Sequence, residues 1–267
     1  MLWIILLHTS PLTGTSITYL TARPQQKGHT YLCLDYQHYN AHTFWNTEGK
    51  RCEAYNEFEI FEYNLYAEHG LNCNDTLSFK GAWAKINESI NGKTFGFKNL
   101  RLGWKHYLGT KRKFLISTEL VGIIPVKKTH KPGLCYGQSG SEVNVLLTKD
   151  VRLWARIGNC NFKLGYRKYS GFPSDQILMD SVINIFLSPR LLLSAGSFLE
   201  YGLFNGKSRN DESFFLLRSN YRLLQGKIQA AIRIYKESYL FIGYHEHFWG
   251  RNAGTNGGIY GGAQIQF

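Results

Sequence analysis

From residue 28 onward, apolar and polar residues alternate with a period of two in about twelve separate stretches, the pattern of strands that bury one face. Leu32, Leu34 and Tyr36 alternate with Cys33, Asp35 and Gln37; Phe61, Tyr63, Leu65 and Ala67 with Glu62, Asn64, Tyr66 and Glu68; Leu77, Phe79 and Trp83 with Ser78, Lys80 and Ala82. Leu100, Leu102 and Trp104 interleave with Arg101, Gly103 and Lys105, and Phe114, Ile116 and Leu120 with Ser117 and Glu119. The second half repeats the pattern. Val143, Val145 and Leu147 oppose Glu142 and Asn144; Phe162, Leu164 and Tyr166 oppose Lys163, Gly165 and Arg167; Met179, Ile183 and Ile185 oppose Asp180 and Asn184. Leu191, Leu193 and Ala195 oppose Ser194, Gly196 and Glu200, and Ile228 to Ile234 oppose Lys227, Gln229 and Arg233. Leu240, Ile242 and Tyr244 form the next stretch, and Ile259, Gly261, Ala263, Ile265 and Phe267 the last; Ser213 to Leu224 has no clean register.

Connections alternate between short and long. Asn72–Asp75, Gly109–Arg112, Ser188–Arg190 and Lys236–Ser238 are short; Ala41–Cys52, Asn87–Thr94, Pro125–Gly140, Gly202–Glu212 and Gly250–Gly257 are long. A meander with short turns at one end and long loops at the other is the signature of a transmembrane up-and-down barrel of the outer-membrane type, which must close because lipid offers no partner to an open edge. The expected fold is therefore all-β, an antiparallel barrel over residues 23–267 with about twelve strands, ten or fourteen being the alternatives. A secreted β-sandwich or lipocalin-like barrel would show similar alternation.

Composition narrows the class. No apolar run approaches the roughly 18 residues of a membrane-spanning helix, and 43% apolar with 15% aromatic content excludes disorder. Met1–Leu7 followed by a Thr-rich stretch to Ala22 has the character of an export signal over residues 1–22, although no Lys or Arg precedes the apolar run; a first buried strand is the alternative. Export would put Cys33, Cys52, Cys73, Cys135 and Cys160 in an oxidising compartment. Cys52 and Cys135 fall in long loops on the same side and are the candidate disulfide.

The formal charge of +12 does not mark a nucleic-acid binder. Seven acidic residues (Asp35, Glu62, Glu68, Glu119, Glu142, Asp180, Glu200) and seven basic ones (Lys80, Arg101, Lys105, Lys163, Arg167, Lys227, Arg233) occupy the polar faces, so the expected lumen is nearly balanced. The excess lies in connections such as Lys111–Lys113, Lys127, Lys128 and Lys131, and Lys207 with Arg209. Catalytic chemistry finds no foothold. Gly137–Ser141 misses the G-x-S-x-G elbow at its last position, His245 and His247 share a strand face without an identifiable third metal ligand, and Gly257-Gly258 lacks a following Lys-Ser/Thr. No enzyme, metal or cofactor is expected.

The chain ends in Ile259–Phe267, with apolar or small residues at every second position back from a terminal aromatic. This resembles the C-terminal assembly signal of bacterial outer-membrane barrels, with Ile265 and Phe267 as its readable positions. Phe61–Gly70, Gly171–Gln176 and Gly250–Gly254 resemble elements of small uncharacterised outer-membrane proteins, some transporter-like or linked to exopolysaccharide gene clusters. The resemblance spans most of residues 28–267. It implies a location in the outer membrane of a Gram-negative-type bacterium, with outer-membrane lipid and the barrel-assembly machinery as partners, and it carries over no catalytic residue. The expected role is a narrow passive channel for a small polar solute or a polysaccharide; a structural or adhesive barrel with an ion-paired, closed lumen is the alternative.

Overall fold

A computed structural model describes residues 20–88, 92–126, 138–153, 156–171, 174–206 and 220–267. They form one antiparallel sheet with the segments β1 (Thr30–Trp45), β2 (Arg51–Gly70), β3 (Asp75–Glu88), β4 (Gly92–Phe97), β5 (Leu100–Lys111), β6 (Phe114–Ile124), β7 (Gly140–Leu153), β8 (Arg156–Tyr169), β9 (Gln176–Phe186), β10 (Leu191–Gly202), β11 (Arg222–Tyr235), β12 (Ser238–Arg251) and β13 (Ala253–Gln266). Each pairs with its sequence neighbours except β4 and β5, which both pair with β3, and β1 pairs with β13, which closes the ring. Thr30 and Phe267 exchange two backbone hydrogen bonds at the seam, of 2.7 and 3.0 Å.

Thirteen segments make twelve staves, because β4 and β5 are two halves of one. The upper part of β3 pairs with β4 and the lower part with β5, and the register slips by one residue between Trp83↔Phe97 and Lys80↔Arg101. A one-residue slip exchanges inner and outer faces. Lys98, in the break, and Arg101, just past it, therefore both point into the barrel.

The outside is apolar. Leu34, Leu77, Leu102, Leu120, Val143, Leu164, Leu193, Ile228, Ile242 and Ile259 are all exposed, as a lipid-facing belt requires. A membrane-crossing strand needs about 9–11 residues, and β2 has 20. Strands β1 to β3 stand well proud of such a belt. Hence the segments expected as loops at Ala41–Cys52 and Gly250–Gly257 are largely strand: β1 runs to Trp45, β2 starts at Arg51, and only Asn252, with φ of 53°, separates β12 from β13. Ser213–Phe215 and the rest of residues 207–219 lie outside the described residues, while Arg222–Leu224 already belong to β11.

Candidate functional site

The interior is the candidate site. All fourteen charged residues assigned to the lumen lie on the inward-facing positions of their strands, half-buried or buried. Three levels can be distinguished by register, the lowest at the end where the chain termini and short turns meet.

The lowest level is closed by a strap, Leu20 to Gln26, that precedes β1 and lies within the barrel rather than in its wall. Gly28, with φ of 79°, lets the chain fold back from β1; its N–H donates to Gly70 O at 2.8 Å, and Gly70 N–H donates to His29 O at 3.0 Å. A Cβ at Gly70 would collide with the strap backbone, lying 2.7 Å from Gln25 O. The strap is held by side chains of the wall. Gln25 N–H donates to Thr76 Oγ1 and its Nε2 to Glu68 Oε2, both at 2.9 Å. Ala22 N–H donates to Thr148 Oγ1 at 2.8 Å, and Ser117 Oγ to Ala22 O at 2.5 Å. Arg23 pairs with Asp150. Glu68 is the hub: Lys105 Nζ reaches it at 2.8 Å and Tyr66 OH at 2.6 Å, with Lys105 and Glu68 only 1% and 2% exposed. Leu20 packs with Tyr31, Val182, Leu192, Tyr239 and Phe241 in an apolar cluster on the opposite wall. Leu20, Thr21 and Ala22 belong to the stretch expected as export signal, yet they are buried here.

At the height of the strap, next to the short turns, an amide ladder lines β7 to β9. Thr148 Oγ1 donates to Asn161 Oδ1, and Asn161 and Asn184 both donate to Asn159 Oδ1, at 2.7 to 2.8 Å. At mid-height Lys163 pairs with Asp180 at 2.5 Å, Asn144 Nδ2 donates to Glu119 at 2.9 Å, and Gln37 and Asn64 donate to Asp35 at 3.0 Å. Across the lumen, Lys227 lies over the rings of Phe198 (5.3 Å) and Tyr260 (5.5 Å), and Arg233 donates to Tyr239 OH at 2.8 Å. His245 sits in an aromatic nest with Tyr39 and Tyr260 and 6.2 Å from the His247 ring. Among the described residues no group of three His, Cys, Asp or Glu is placed to hold a metal.

The upper level is an ionic belt across β5, β7, β8 and β10. Glu142, 1% exposed, accepts from Arg101 at 2.5 Å and Arg167 at 2.8 Å. Arg167 also reaches Glu200 at 3.0 Å and Gln176 at 2.9 Å, and Tyr221 OH donates to Glu200 at 2.5 Å. Glu62 pairs with Lys98. Opposite charges thus pair between neighbouring or next-but-one strands along the wall, not in rows facing each other across a gap. Lys80 completes the level between Asp35 and Arg101, half-buried in the wall.

Alternation found the wall residues, Asn184 among them, but missed Lys98, the strap and Asn159 and Asn161, the other rungs of the ladder. Lys98 is hidden by the register slip, and the strap has no strand period. Cys33, Cys52, Cys73 and Cys160 are free thiols; Cys135, the expected partner of Cys52, lies outside the described residues, as do Lys127, Lys128, Lys131, Lys207 and Arg209.

No family model and no curated protein sequence matches this chain. Solved structures do. The COG4313 outer membrane channel from Pseudomonas putida F1 superposes with a TM-score of 0.70 at 12% identity, over 92% of this chain and 97% of that one. The NanC porin matches with a TM-score of 0.50 at 6% identity over 86% and 98% of the two chains, and the beta domain of the Bordetella autotransporter BrkA with 0.50 at 9% over 90% and 100%. At these identities the likeness is one of architecture, and the architecture is the transmembrane β-barrel of the bacterial outer membrane.

Proposed function

We propose that the protein is an outer-membrane barrel working as a narrow, passive channel for a small polar solute or a polysaccharide strand, with the strap as its stopper. No catalytic step is involved. The observation that carries this is the way the strap is held: its lumenal contacts are hydrogen bonds, one ion pair and the packing of Leu20, all to side chains of the wall, with no strand ladder. Such contacts each contribute on the order of 1 kcal/mol, so a segment of this kind can leave while the ring stays closed. Above it, amides, hydroxyls and charges line the passage, as a polar solute requires. Outer-membrane lipid surrounds the belt, and the barrel-assembly machinery is the partner that reads Phe267.

The ionic belt favours a second role, a structural or adhesive surface barrel whose interior is a packed ionic core. Planar-bilayer conductance separates the two. The full chain should conduct weakly, and deletion of residues 20–26 should raise conductance several-fold in a correctly folded barrel. A deletion variant that is folded and silent would establish the closed barrel instead.

A further inference from the structure

Outside the lumen, the terminus end of the wall carries an uneven charge. Lys111 is registered with Phe114, Phe114 with Lys149 and Lys149 with Cys160, so these four outward-facing residues form one row across β5 to β8. The next outward row, Ile116, Leu147 and Phe162, is apolar, and above it Leu120, Val145 and Leu164 belong to the lipid-facing belt. The row thus marks the edge of the belt. Just beyond it Arg112 and Lys113 make the β5–β6 turn and Arg156, on the outward parity of β8, follows the β7–β8 turn, all exposed, whereas Arg152 shares the lumenal face of Thr148 and Asp150. Among the described residues of these two hairpin ends the one carboxylate is Asp150, and it is engaged by Arg23 of the strap.

Two details set this patch apart from ordinary solvated charge. Arg112 and Lys113 have φ of 51° and 69°, a two-residue turn in which Asn and Gly are the favoured occupants; the cations stand where the backbone disfavours them. Lys149 Nζ lies 5.0 Å from the centroid of the Phe114 ring. This is an amphipathic pair with an apolar body toward the belt and a charge toward the interface.

We propose that this end of the β5–β8 wall binds the phosphate of an anionic phospholipid in the leaflet surrounding the terminus end of the barrel. Headgroup phosphates lie at the depth where an apolar belt stops, and several cations converge there with no free carboxylate to compete. Zwitterionic lipids, whose own ammonium repels the patch, should bind weakly. The site does not depend on whether the lumen conducts.

The test is native mass spectrometry of the full chain in detergent with added phosphatidylglycerol or phosphatidylcholine. Wild type should retain phosphatidylglycerol preferentially. At about five-fold per interfacial cation, Lys111→Gln, Lys113→Gln, Lys149→Gln and Arg156→Gln together should lower retention by on the order of a hundred-fold or more. Removing as many charges at the other end (Lys50→Gln, Arg51→Gln, Lys93→Gln, Arg251→Gln) should change it little. The pair Lys111→Arg and Lys149→Arg, which keeps the charge, should retain the lipid and guards against a folding defect in the neutral variant. Equal retention of both lipids by wild type, or equal losses in the two neutral variants, would overturn the proposal. So would unchanged lipid retention alongside lost sedimentation with peptidoglycan, which would assign the patch to the cell wall.

Discussion

At the scale of single residues, Glu142 decides what the upper lumen is. It is buried, it accepts from two guanidiniums on different strands and from Asn144 Nδ2, and it has no water-facing alternative. Burying such a network is not itself a source of great stability, but removing one partner leaves charge stranded, at roughly 3–5 kcal/mol. Glu142→Gln keeps the volume and leaves Arg101 and Arg167 facing a neutral amide. The expected outcome is a barrel that still inserts but unfolds at markedly lower urea concentration in lipid vesicles. Lys105→Met leaves the Glu68 carboxylate, 2% exposed, with only the neutral donors Tyr66 and Gln25, so it should lower the unfolding midpoint comparably while also loosening the strap. An unfolding midpoint for Glu142→Gln equal to wild type would show that the belt is solvated and weak.

Among the elements, the strap and the closing strand make opposite demands on the wall. The strap needs room, which Gly70 supplies. Gly70→Val places branched carbons against the backbone of Gln25 and Gln26, so the strap should be displaced; limited proteolysis should then cut near residues 20–26 in the variant and spare wild type. Because Leu20 to Ala22 are packed inside, N-terminal sequencing of the protein recovered from membranes is expected to begin at or before Leu20. A start at Arg23 would remove Thr21, whose carbonyl accepts from Lys105, and Ala22, whose carbonyl accepts from Ser117. The closing strand needs its last pair. Deleting Phe267 removes both hydrogen bonds to Thr30, and heat-modifiable, inserted protein should fall severalfold while synthesis is unchanged.

The elements also show what the sequence made legible. Period-two alternation located every described stave, since each has lipid on one face and a polar interior on the other. It erred at the upper ends of β1, β2, β12 and β13, where strands rise beyond the belt and lose the apolar half of the signal: His42, Cys52 and Thr255 read as loop, although the ladder continues from Thr43 to Trp45 on β1, from Arg51 to Glu53 on β2 and through Thr255 on β13. It found only the β5 half of the β4–β5 stave: Gly92–Thr94 of β4 read as loop, and the one-residue slip at Lys98 exchanges the faces. The lumenal positions of Arg101 and Glu142 followed from parity alone. Their pairing did not, since it depends on which strands become neighbours and at what stagger.

For the whole molecule, that pairing redirects the question of selectivity. Reversing Arg101 and Lys163 is the intuitive way to change the preference of a balanced lumen, but Arg101 faces Glu142 and Lys163 faces Asp180. Carboxylates there would meet carboxylates, and the barrel would suffer before the pore did. Lys227 is a better probe, because its charge lies over the rings of Phe198 and Tyr260 rather than in the ionic belt. Adding Lys98 to the assigned fourteen gives the interior one more cation than anions, and four acid–base groupings (Glu62 with Lys98, Glu68 with Lys105, Asp180 with Lys163, and Glu142 and Glu200 with the two arginines) neutralise most of it. With the strap deleted, the pore should therefore be weakly selective for anions, and Lys227→Glu should carry the reversal potential in a potassium chloride gradient toward cations. The shift should be largest at low ionic strength, since at about 1 M salt the screening length is only about 3 Å. If the reversal potential is indifferent to Lys227 at every salt concentration while the barrel remains folded, ions do not pass along the β11 wall, and the conducting path runs on the side of the amide ladder.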